Sequence, residues 1–150
     1  MPVRTTRYRM MRAARGIAID LTADAVLSTG PPPRGERVTA RVWLDTAPVR
    51  THPYEDRSGL RLSAEEAAWL GPGLALAAPA IEARTAGRYA LVTVERVRFP
   101  EADFQQEGLA AALLGWAEEE FGLPARPVGA SFDRAANRFV FIWPEPHDRL

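Results

Sequence analysis

The sequence predicts an α+β fold. It should be a two-layer sandwich, with a mostly antiparallel sheet of about five strands and two main helices on one face. Three observations lead there. Several short runs alternate apolar and polar residues with period two, the mark of half-buried strands. Two longer segments place apolar residues three and four apart, the mark of helices lying on a core. The 150 residues are 47% hydrophobic and 25% charged, the size and balance of one soluble domain.

Each element has its own warrant. Residues 1–15 hold Arg4, Arg7, Arg9, Arg12 and Arg15 and no acid, and read as a basic arm. Tyr8, Met11 and Ala14 in it fit either a helical face or the beginning of a strand. In 16–21, Ile17, Ile19 and Leu21 alternate with Ala18 and Asp20, a half-buried strand. Gly30, three prolines, Arg34 and Gly35 make a stiff turn without ladder donors. Residues 36–45 read as one strand, with Val38, Ala40, Val42 and Leu44 on one side and Thr39, Arg41, Trp43 and Asp45 on the other. Residues 47–62 form a long irregular loop, a length that often carries function. Ser63 and Glu66 form a capping box that starts a broken helical segment over 64–86, interrupted at Gly71-Pro72-Gly73 and ended by Gly87.

Residues 88–99 are a strand rich in β-branched residues, apolar on both faces in its first half and charged in its second. Asp103 is placed to cap a helix over 104–121, with Leu109, Ala112, Leu113, Trp116, Ala117 and Phe121 on one stripe and Gly122-Leu123-Pro124 as the stop. Residues 128–132 and 139–143 make a hairpin whose second strand, apolar on both faces, should sit inside the sheet. Pro144 and Pro146 fray the segment 144–150.

Composition excludes several function classes. No apolar run approaches the roughly 18 residues of a membrane span, and the basic start lacks an apolar signal core, so a cytoplasmic protein without membrane attachment is expected. There is no cysteine, which removes disulfides, thiolate metal sites and cysteine nucleophiles. Every basic residue is arginine, which with the many prolines and alanines reads as the coding bias of a GC-rich bacterium. The formal net charge is zero. Yet the basic start faces a block at 101–120 with six acids and no base. The last turn of the helix sets Glu118, Glu119 and Glu120 against its own dipole, so an arginine of the arm should meet them.

Candidate chemistry is sparse. His52, Glu55 and Asp56 form the one cluster shaped like a catalytic set, because a carboxylate beside an imidazole raises its pKa and orients it as a base. A polar surface loop is the competing reading. Binding candidates are Trp43 with Arg41, an aromatic beside a cation on an open sheet face, then Tyr54 and Arg57 in the loop, and Arg7, Arg9 and Arg12 in the arm. His52 and His147 lie far apart, with no ligand-spaced pair, so no metal is expected, and no cofactor fingerprint occurs.

From Ser63 through Trp116, the order of capped helix, Gly87, strand 88–99 and Asp103-started helix, preceded by strand 36–45 and a long loop, resembles the fourth domain of elongation factor G. The resemblance covers about half the chain and is one of element order. That family's glycine-rich stretch and its acidic-serine motif are absent here, the latter replaced by Asp103-Phe104-Gln105-Gln106. It implies a two-layer α+β fold and carries over no functional residue. Three functions follow: a non-catalytic binding or protein-interaction protein, whose partner is another protein or a second copy; an RNA- or ribosome-associated module using the arginine-rich start; or a small cofactor-free enzyme using the 47–62 loop.

Overall fold

A computed structural model describes residues 3–12 and 15–146. The basic start is no tail. Thr6, Tyr8 and Met10 alternate with Thr5, Arg7, Arg9 and Met11, and the segment forms strand β1 (Arg4–Arg12). It pairs antiparallel with β2 (Arg15–Ser28), which extends seven residues past the expected end at Leu21 because Ala23 and Ala25 keep the same inward parity as Ile17, Ile19 and Leu21.

Residues 36–45 are a hairpin, not one strand. Strand β3 (Glu36–Arg37) pairs antiparallel with β4 (Val42–Asp45). The turn between them is held by amides of Val38 and Thr39 donating to the Val42 carbonyl. A carboxylate from across the layer also holds it. Glu82, 2% exposed, accepts from the Thr39 hydroxyl at 2.6 Å and from the Arg41 amide at 2.9 Å. A buried charge persists only with such partners.

Helix α1 (Ala47–Arg50) carries Pro48 in its first turn, where a fixed φ is tolerated. The Ser63–Glu66 capping box opens α2 (Ala64–Ala67) as expected. The break in the helical segment comes at residues 68–69, before the glycines, and α3 (Leu70–Arg84) runs through Gly71, Pro72, Gly73 and Pro79. Strand β5 (Tyr89–Arg98) follows. Asp103 lies in a single 3-10 turn (Glu101–Asp103) and does not cap the next helix, α4 (Glu107–Phe121), whose first turn starts after Gln106. Gly122 closes α4 at φ +64°, a conformation that favours glycine.

The main sheet has five strands in the order β1-β2-β5-β4-β3, antiparallel except for the β4–β5 pair. The fold is α+β, with α3 and α4 packed on each other and on one sheet face, and the core lies between. Its largest fully buried side chains include Trp116, Ile19, Leu21, Leu74, Ile81 and Leu113. Strands β6 (Gly129–Asp133) and β7 (Arg138–Ile142) form a separate two-stranded sheet, not a continuation of the main one. One side of it, with Phe132 and Phe139, packs on the core, while Val140 and Ile142 on the other are exposed.

The arm does meet the acidic end of α4. The Arg4 Nε–H donates to Glu120 at 2.9 Å, and the Thr6 hydroxyl donates to Glu119 at 2.7 Å. Glu118 turns the other way and accepts from the Arg126 amide. Among the described residues, no helix is long and apolar enough to cross a membrane.

Candidate functional site

The sheet face away from α3 and α4 holds the site. Strand alternation sends every second side chain there. From β1 it receives Thr5, Arg7 and Arg9; from β2, Ala18, Asp20 and Thr22; from β5, Arg96 and Arg98. The register sets Arg7 beside Asp20 and Asp20 beside Arg98, with Thr5, Thr22 and Arg96 in the next row. Two rows of arginine therefore flank a floor of small or short side chains. The floor is two strand spacings across, about 10 Å.

A loop forms one wall of this trough. Strand β4 ends at Asp45, opposite Thr93, so the rest of that β5 edge has no strand beside it. Leu60 takes the place, its amide donating to the Val97 carbonyl at 2.9 Å. Gly59 lets the loop lie this close: a Cβ there would sit 2.6 Å from Arg96 Cγ and 3.1 Å from His52 Cε1. The loop holds itself together. The Ser58 amide and hydroxyl both donate to Asp56, Arg61 Nε–H donates to the His52 carbonyl, and the Leu62 amide donates to Val49. Arg57, Gly59 and Leu60 then face Arg9, Ala18, Asp20, Arg98, Phe99 and Pro100 across a hollow of about 370 Å³. A second hollow continues past Arg7, Thr22, Ser58 and Arg96.

The charge here is unbalanced. Arg9 pairs with Asp20 at 2.7 Å. The guanidiniums of Arg7, Arg57, Arg96 and Arg98 make no hydrogen bond or ion pair with any described residue. The acids nearby are few. Asp56 is held below the usual carboxylate range, chiefly by the two Ser58 hydrogen bonds and then by the fields of His52 and Arg96, so it is anionic at neutral pH. Guanidiniums stay protonated at any physiological pH, so they act as fixed forks for anions and not as acids or bases.

The other end of the same face has the opposite sign. Asp24, Asp45 and Glu95 lie there, and Arg34 Nε–H donates to Asp45 at 3.0 Å. Burial, and then the Asp24 and Asp45 charges, push the Glu95 carboxyl above its usual range. Trp43 shares this end, half-buried, with its indole N–H enclosed and without a partner. Arg41 does not stand beside it. The 38–41 turn carries Arg41 to Glu82, 3.8 Å between charged atoms, because a hairpin replaces the expected strand.

The loop cluster is only partly assembled. The His52 ring is almost enclosed, and Nε2 lies 2.9 Å from the Asp56 carbonyl and 3.7 Å from its carboxylate. A carbonyl can only accept, so Nε2 carries the proton, and the imidazole's basic nitrogen is Nδ1. Glu55 is exposed and is not brought to the ring. Tyr54 is exposed, with the Arg61 guanidinium 3.8 Å over its ring. Of the arm, Arg7 and Arg9 reach the trough, while the Arg12 side chain and His147 lie outside the described residues. Sequence reasoning missed Arg96, Arg98 and Asp20. The signal available for them was the outward parity of 96 and 98 at the charged end of β5. Among the described residues, no group of three or more metal-ligating side chains is placed to hold a metal. No protein-family model matches this chain, and neither a curated protein nor a solved structure is significantly similar to it.

Proposed function

We propose that this chain is a binding protein of the bacterial cytoplasm whose open sheet face takes a polyanionic partner. One observation carries the reading: four guanidiniums without partners among the described residues converge on one trough in a chain whose net charge is zero. A basic stripe confined to one face is the electrostatic footprint of such a ligand. The trough is polar and open, unlike the enclosed, mostly apolar pockets that hold small molecules. The likeness in element order to the fourth domain of elongation factor G is proposed at the level of fold and lends no residue to the trough.

Retention on a heparin column tests the reading. A neutral chain binds such a column only through a patch, so the wild type should elute at raised salt. The variant with Arg7, Arg57, Arg96 and Arg98 all replaced by Gln should pass in the flow-through. Wild-type protein in the low-salt flow-through would refute it.

A further inference from the structure

The trough is not a plain anion cradle. Its floor interleaves the arginines with neutral and acidic hydrogen-bonding groups: Asp20 between Arg7 and Arg98, Thr22 between Thr5 and Arg96, and Ser58 on the wall. A carboxylate at the centre repels a ligand that is charged at every position, such as polyphosphate. It accepts from a ligand that alternates anionic groups with neutral donors. Width adds a second constraint. A floor about 10 Å across admits one extended strand, while a duplex would rest on the rims. Guanidinium planes also offer flat, sequence-tolerant surfaces for bases.

Resting on the polyanion reading above, we infer that the trough binds single-stranded RNA: Arg7, Arg57, Arg96 and Arg98 hold phosphates, and Asp20 accepts from ribose hydroxyls. The 2′-hydroxyl is the donor that separates RNA from DNA along such a floor. Asp20 is suited to it, because its carboxylate is partly exposed and Arg9 occupies only one of its sides.

Fluorescence anisotropy with a labelled ten-nucleotide oligouridylate tests this on the full chain. Four phosphate contacts should cost roughly fifty-fold in affinity from about 50 to about 200 mM salt. The double variant Arg96→Gln/Arg98→Gln should bind at least ten-fold more weakly; both side chains are exposed, and an unchanged melting midpoint confirms its fold. The RNA should bind several-fold better than the same oligodeoxyuridylate, than duplex RNA, and than polyphosphate at equal phosphate. Asp20→Ala should shrink the RNA-over-DNA ratio towards one and tighten polyphosphate. Equal binding of RNA and DNA, or of duplex and single strand, overturns the inference and leaves the polyanion reading standing, as does polyphosphate winning through the same arginines. RNA binding that ignores the arginine changes also overturns it. No binding of any polyanion overturns both.

Discussion

Replacing Gly73 by alanine sets two opposing effects against each other. Gly73 lies in α3 where that helix crosses α4, and it is buried. A Cβ there would fall 2.3 Å from the Ala110 carbonyl oxygen and 2.7 Å from its Cα. Both atoms belong to backbone, so no side chain can swing away; the helices must part by about 1 Å. Glycine-to-alanine in a helix interior contributes roughly 0.5–1 kcal/mol of stability. Overpacking of a well-filled core costs roughly 1–3 kcal/mol, and a backbone clash belongs at the upper end. The cost wins, and Gly73→Ala should destabilise by about 2 kcal/mol. Gly115, in α4, is the control, since nothing lies within 4 Å of the Cβ it would gain. There the helix preference acts alone, and Gly115→Ala should stabilise by about 0.5–1 kcal/mol. Thermal unfolding followed by circular dichroism reads both, at roughly 2–4 °C per kcal/mol for a chain of this size. The same substitution on two touching helices should move the midpoint in opposite directions. A Gly73→Ala midpoint at or above wild type would refute the close crossing.

Trp116→Ala should cost about 3–5 kcal/mol in chemical denaturation, because the fully buried indole leaves a cavity and strands the Arg4 carbonyl that its N–H serves at 3.1 Å; a midpoint near wild type would count against it. Glu95 should give a pH signature. Its folded-state pKa is raised, so the folded chain holds that proton more tightly than the unfolded chain, and stability falls as pH rises through the carboxyl's range. Glu95→Gln should therefore flatten the decline above about pH 4 and be the more stable protein at neutral pH; a difference that grows towards acid would contradict the sign.

The parts of the fold that were legible are those where burial imposes a period. Strand β5 and helix α4 show it plainly, and the Ser63–Glu66 box marks its helix start by local chemistry alone. Residues 36–45 misled because the partnered positions, Glu36 with Leu44 and Arg37 with Trp43, are separated by an even step in sequence, so residues on one side keep one parity through the turn and alternation cannot separate one strand from two. Strand β1 was obscured by its arginines. Each outward position can be charged without cost when that face meets water, and the inward series of Thr6, Tyr8 and Met10 is only weakly apolar. The site was legible least. Arg7 and Arg98 come to flank Asp20 only because β1 and β5 pair with β2 from either side, β5 across most of the chain, and no local spacing announces that. Glu82 was invisible for the same reason, its partners being a turn far away in sequence.

The position of β5 between β2 and β4 dictates an order of assembly. The β1–β2 and β3–β4 hairpins are local and can close as soon as they are made, but nothing joins them until residues 89–98 exist. Pairing of distant segments is slow, since a long loop must close before contacts reward it. Until then β2 presents a long free edge, and its apolar face with Ile17, Ile19 and Leu21 stays bare until α4 is made as well, the kind of surface that captures other chains. A growing chain stalled before Tyr89 is thus two hairpins and three helices with no central strand to join them, and one that has passed Arg98 has a complete sheet but still lacks α4. The stretch from completion of β2 to completion of α4 is therefore where chaperone protection matters most for this protein.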